Sequence, residues 1–169
     1  LFENNGLEMF KIEENEINGG SFRIYCRKFN KGSIKFNEPN TLKSIMKFIK
    51  RVNINKKNTM NFINEQIKKN KKIFLYGAST KGNTVLQYYG LDQNKIKFAA
   101  ERSPEKWNKY TIGTGIKIIS EKKARSLNPD FFFVTPWGFI KEFVKREHKW
   151  LKGGGKFILP FPRFKIIRK

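Results

Sequence analysis

One cysteine and one histidine occur in these 169 residues, and acidic side chains number 14 against 36 lysines and arginines. A lone thiol forms no intramolecular disulfide, and Cys26 sits in an apolar-alternating run that reads as a small buried residue. His148 follows Glu147 beside the apolar stripe of a late helix, with no cysteine or carboxylate at ligand spacing. That leaves no zinc set, no paired-carboxylate motif and no Ser-His-Asp arrangement, so the expectation is no metal site. No apolar run approaches the roughly 18 residues of a membrane span. The opening "LFENNGLEMF" is neither basic nor signal-like. A soluble chain in a reducing, cytoplasmic setting follows, with no membrane partner. The chain also lacks an initiator methionine and opens in what reads as mid-helix, so it reads as part of something longer.

What is abundant is positive charge, +22 in all. Such an excess ordinarily implies a polyanion partner. The lysines, however, are scattered through every helix among many asparagines, isoleucines and phenylalanines, a bias that a low-GC genome imposes whatever the function. A solvated basic surface that attracts small anions is the preferred reading, with a basic nucleic-acid-binding module kept as an alternative.

Residues 7–12 and 21–29 alternate well enough to form two strands, an antiparallel hairpin appendage over 1–35. After the breaker "NEPN", Leu42, Ile45, Met46, Ile49 and Val52 recur at helical spacing, followed by Met60, Ile63 and Ile67, which predicts one long or broken helix within 41–71. From 73 to 169 the pattern becomes strand, turn, helix. Strands are expected at 73–76, 96–100, 116–119, 130–135 and 156–160, and helices at 81–89, 121–127 and 137–151. "FFFV" at 131–134 is apolar on both faces, as a central strand of a parallel sheet must be. Thr135 is expected to cap the last helix, Pro136 to occupy its first position and "GGG" at 153–155 to end it. The architecture predicted is α/β, a Rossmann-like doubly wound, mostly parallel sheet with helices on both faces, preceded by the hairpin and the long helix.

The segment "IFLYGASTKGNT" runs from a strand through a glycine turn into a helix, which exposes backbone N–H groups to an anion. Ser79 stands where a dinucleotide fingerprint needs its second glycine, and Asn83 stands where a Walker loop needs its lysine. Two readings remain: a generic anion cradle built on Gly77, Ser79, Thr80, Lys81, Gly82 and Asn83, or a tight turn with a capped helix. Glu101 ends the next strand, where nucleotide-binding domains place the acid that takes ribose hydroxyls; the competing reading pairs it with Arg102 or Lys106. "VTPWGF" ends an inner strand and makes Trp137 a candidate wall or stacking residue. In "INGGSFRIY", Asn18, Gly19, Gly20 and Ser21 with an inward Arg23 form either a second anion-binding turn or a plain hairpin turn.

"NGGSFRIY", "YGASTKGNT", "AAERSPEKWNKYTIGTGIKIIS", "VTPWGF" and "GGGKFILPFP" occur in an order and at a spacing that resemble the C-terminal domain of the SAM-dependent C-methyltransferases that act on nucleotide-linked deoxysugars. The resemblance runs from "GLEMFKI" to "ILPFP". It implies a longer enzyme with a zinc-binding N-terminal part and a central domain that binds S-adenosylmethionine, both upstream of this chain together with the catalytic residues. It also implies that Asn18, Ser21, Arg23, Ser79, Thr80, Lys81 and Asn83 face the nucleotide-sugar substrate, with Glu101 and Lys106 nearby. Two positions depart from the pattern: Asn18 replaces a histidine of many relatives, and Glu101 replaces an aspartate. A NAD(P)-dependent oxidoreductase domain is the other alternative, weakened by Ser79.

Overall fold

The computed structural model describes residues 1–17, 20–35 and 41–168, which form two compact units, Leu1–Lys47 and Phe48–Lys169. In the first, β1 (Leu7–Asn15) pairs antiparallel with β2 (Ser21–Lys28), with a register shift between Met9 and Lys11. Strand β1 runs on through the acidic stretch with its charge compensated: Glu13 meets Lys11 of the same strand at 2.5 Å and stands opposite Arg23 of β2 at 3.9 Å. Glu8 is fully buried. Its Oε1 accepts from Arg27 Nε at 2.6 Å, and its Oε2 accepts the N–H groups of Asn30, Lys31 and Gly32. These bonds hold its carboxyl at about 2, well below the ordinary 4.5.

α1 (Leu42–Lys68) is continuous. It is followed by β3 (Ile73–Tyr76), α2 (Thr80–Tyr89), β4 (Phe98–Glu101), β5 (Lys117–Ser120), α3 (Glu121–Ser126), β6 (Phe131–Val134), α4 (Ile140–Arg146), α5 (His148–Lys152), β7 (Lys156–Leu159) and β8 (Lys165–Ile167). The six strands after α1 form one sheet in the order β5-β4-β3-β6-β7-β8, parallel except for β8. The fold is α/β with a mostly parallel sheet.

Alternation along each strand divides the core. Ile73, Leu75, Phe131, Phe133 and Ile158 pack with Ile63 of α1 and with Leu86 and Tyr89 of α2. Phe74, Tyr76, Phe132, Val134 and Phe157 pack on the other face with Ala124, Phe143 and Leu151 of the later helices. Every residue of β3 and β6 is buried, as strands covered on both faces require. Outside β5, Asn108 N–H donates to the Ile118 carbonyl at 2.9 Å and Ile118 N–H donates to that of Lys109 at 2.8 Å. At the opposite margin lies the three-residue β8.

Three local expectations need correction. The helix expected over 137–151 is a 3-10 turn at Trp137–Phe139 followed by α4 and α5. The break falls at Glu147, whose side chain is buried against Tyr76 and Arg125 instead of lying on a solvent face. Thr135 caps nothing: it is buried with its hydroxyl unpartnered, and Pro136 precedes the 3-10 turn without a side-chain cap. Strand β8 has no counterpart in the sequence reading. Among the described residues, no helix is long and apolar enough to cross a membrane.

Candidate functional site

The turn from β3 into α2 sits at the carboxyl end of a central strand, where open α/β sheets take ligands. Gly77 adopts a φ of +83°, a conformation that side chains oppose, and a Cβ there would lie 3.1 Å from Pro136. Ser79 caps α2 by accepting the Gly82 N–H at 3.0 Å. Gly82 allows the helix to approach the sheet, because a Cβ would come within 2.5 Å of Thr135 Oγ1. Thr80 and Lys81 are exposed in the first turn, and Asn83 is half-buried with its N–H donating to the Ser79 carbonyl. The local sequence therefore builds a tight, capped turn whose first residues lie at the cleft.

Glu101 holds that turn in place. One carboxylate oxygen accepts the Ala78 N–H at 2.9 Å, and the other accepts the N–H groups of Arg102 and Ser103 at 2.9 and 3.0 Å. The reach of a glutamate thus returns to its own backbone and binds two loops together. Lys106 adds a second tie, donating from Nζ to the Ala78 carbonyl at 3.3 Å and standing 3.8 Å from Glu101.

Around this turn opens a cleft of about 340 Å³, lined by Gly77, Ala78, Ser79, Glu101, Arg102 and Lys106 on one side and by Glu121, Pro136, Phe139, Glu142, Phe143 and Arg146 on the other. Arg102 is exposed, and among the described residues its guanidinium has no ion-pair partner. Arg146, in contrast, is fully engaged: Nε donates to the Tyr76 hydroxyl at 3.1 Å, Nη2 lies 3.1 Å from Glu121 and Nη1 lies 3.4 Å from Glu142. Burial opposes its charge, but Tyr76 and the two glutamates outweigh that and hold it above its ordinary pKa. Burial pushes the Tyr76 hydroxyl far up as well, so it remains a donor to Glu147. Phe139, 55% exposed, adds an apolar ring to a lining that also holds Arg102 and Arg146.

The structure brings Gly77, Ser79, Glu101 and Lys106 into this cleft, with Thr80, Lys81, Gly82 and Asn83 in the adjoining turn. Trp137 packs on Phe161 at 5.4 Å between ring centroids, and the aromatics lining the cleft are Tyr76, Phe139 and Phe143. The remaining candidates belong to the hairpin unit. Asn18 and Gly19 lie outside the described residues. Gly20 has a φ of +119°, and the Ser21 hydroxyl donates to the Ile17 carbonyl at 2.8 Å. Glu14 and Glu16 line the same hollow as Gly20 and Ser21. Arg23 is not inward: it is exposed, 3.3 Å from the Tyr25 hydroxyl and 3.9 Å from Glu13. Sequence reasoning overlooked Arg146, Glu121 and Glu142; the i,i+4 spacing of Glu142 and Arg146 was the available signal.

A parallel sheet that opens a polar cleft at the carboxyl ends of its strands is the architecture of a ligand-binding α/β domain. Residues 16–162 match the family described as the C-methyltransferase C-terminal domain, and the chain belongs to that family. Over 92 residues it is 34% identical to the C-methyltransferase NovU of Streptomyces niveus, a match covering 54% of this chain and 22% of that protein. The matched stretch spans about a fifth of the length of that relative.

Proposed function

We infer that this chain is the substrate domain of an S-adenosylmethionine-dependent C-methyltransferase, and that its cleft receives the diphosphate and sugar of a nucleotide-linked sugar. Family membership supports this, but the observation that carries it is Arg102: among the described residues, a guanidinium without an ion-pair partner at the rim of a cleft whose other cations are engaged. A guanidinium grips a phosphate through paired N–H donors, and Phe139 offers a ring or sugar face an apolar support. Counted from β3, the strand order is 3-2-1-4-5-6 with the last strand reversed, which fits a Rossmann-like, doubly wound domain over 73–169. The hairpin of 1–35 and the helix of 41–71 are read as its appendages.

S-adenosylmethionine would supply the methyl group, but this cleft does not suit its adenosyl part. Glu101, at the position that would take ribose hydroxyls, already accepts three backbone N–H groups, and the Ser79 hydroxyl is occupied by the helix cap. The same geometry argues against a nicotinamide dinucleotide. On this reading the methyl donor and the proton abstraction belong to other parts of a longer protein. This chain binds and orients.

Isothermal titration with a thymidine-diphospho-sugar tests the reading. Saturable binding is expected, weakened roughly tenfold by Arg102→Gln, the size of one lost charge-assisted contact. Lys81→Ala should weaken it in the same direction. Tight binding of S-adenosylmethionine by this chain, or sugar-nucleotide binding indifferent to both substitutions, would overturn it.

A further inference from the structure

A larger hollow lies outside the cleft, between α1 and the turn joining β7 to β8. It encloses about 630 Å³, within the roughly 300–1,000 Å³ range of small-molecule sites. Asn55 fixes its walls: Nδ2 donates to the Pro162 carbonyl at 2.9 Å, and Oδ1 accepts the Phe164 N–H at 3.3 Å. One side chain thereby ties the helix to the turn. The groove also presents Arg51, Arg163, the Asn58 amide, Ile54 and Phe164.

This chain uses 28 lysines and eight arginines. Arg23, Arg27, Arg125 and Arg146 each lie against a glutamate. Arg51 and Arg163 do not. Among the described residues neither has an ion-pair partner, and the Arg51 guanidinium lies 5.9 Å from the Phe48 ring centre. No acidic residue occurs in positions 41–64, and the first one in α1, Glu65, pairs with Lys69. Two guanidinium groups lining one groove with no carboxylate between them repel each other until an anion is shared. Their planar forks match phosphate oxygens, as the point charge of lysine does not.

We propose that this groove binds the phosphate group of a small molecule, with Arg51 and Arg163 on its oxygens and Ile54 and Phe164 against the adjoining apolar or ring portion. The site is separate from the cleft and does not depend on the reading given above. At about 630 Å³ the groove has room for a single small molecule, and the tie at Asn55 leaves its shape preformed, which favours a free phosphate ester over a stretch of nucleic acid that shares the same chemistry.

Titration of the 169-residue chain with inorganic pyrophosphate, followed through the side-chain amide signals of Asn55 and Asn58, tests the proposal. Saturable shifts of both amides are expected. Arg51→Gln with Arg163→Gln should weaken that response by at least about tenfold, while Arg102→Gln leaves it unchanged. Both arginines are at the surface, and an unchanged melting temperature would show that the double variant is folded. A titration with an oligothymidylate separates the sources: weaker binding than pyrophosphate supports the small-molecule site. Tighter oligonucleotide binding with a steep salt dependence would reassign the groove to nucleic acid. Absence of saturable amide shifts, or equal loss on Arg102→Gln, would overturn the proposal.

Discussion

The Tyr76 hydroxyl donates to Glu147, 71 residues away, at 2.7 Å, and in turn accepts from Arg146 at 3.1 Å. A single phenol thus joins the end of the first parallel strand to the break between α4 and α5. It also fixes one wall of the cleft through Arg146.

Tyr76→Phe removes that joint while preserving the ring contacts with Phe132 and Phe143. Glu147 would keep Arg125 at 2.6 Å but lose its buried donor. A destabilisation of about 1–3 kcal/mol is expected, the range for a buried polar group left short of a partner. Urea midpoints measure it, and a change below about half a kcal/mol would mean that water replaces the hydroxyl.

Glu8 makes the hairpin unit acid-sensitive. Its carboxyl sits at about 2 in the folded state against an ordinary 4.5, so its contribution is complete above the higher value and is lost as pH falls towards the lower one. Amide exchange at Asn30, Lys31 and Gly32 should therefore accelerate as pH is lowered through that interval, beyond the intrinsic pH dependence of exchange. Glu8→Gln should show fast exchange already at neutral pH.

Gly82→Ala sets two effects against each other. Alanine favours a helix interior by roughly 1 kcal/mol over glycine, but here its Cβ would fall 2.5 Å from Thr135 Oγ1 and 3.0 Å from Ser79 Oγ. Overpacking costs about 1–3 kcal/mol and should win. Thermal melts of Gly82→Ala alone and combined with Thr135→Ala check the cause: the pair should lose less stability than the two single changes added together.

Phe132→Ala probes the sheet face under α4 and α5. The ring is fully buried against Tyr76, Trp150 and Phe157, and its truncation should cost about 3–5 kcal/mol in chemical denaturation.

Much of this was legible in the residues. Strands β3, β6 and β7 stand where their apolar runs predict, because a strand covered on both faces has no solvent side to blur the pattern. The 41–71 helix was readable for the opposite reason, a clear helical period. What escaped was tertiary. Glu8 and Glu147 look like solvent-facing acids in alternating and helical patterns, and only the distant N–H groups and arginines that receive them explain their burial. Thr135 looked like a cap because it precedes Pro136, yet close approach of Gly82 determines its surroundings. At the cleft, the turn and Glu101 were visible from spacing. The role of Glu101 as a brace was not, since three backbone N–H groups leave no mark in composition. Arg102 differs from Arg146 in its lack of an ion-pair partner among the described residues, which spacing does not reveal.

The two margins of the sheet carry a consequence for association. The 108–111 segment occupies the backbone groups along one outer strand, and the other margin is three residues long with Lys165 in it. Among the described residues, neither margin of this sheet offers an incoming polypeptide a long, bare row of amides on which to template. The margins of this six-stranded sheet therefore favour a partner that recognises side chains on the helices and loops over one that adds a strand.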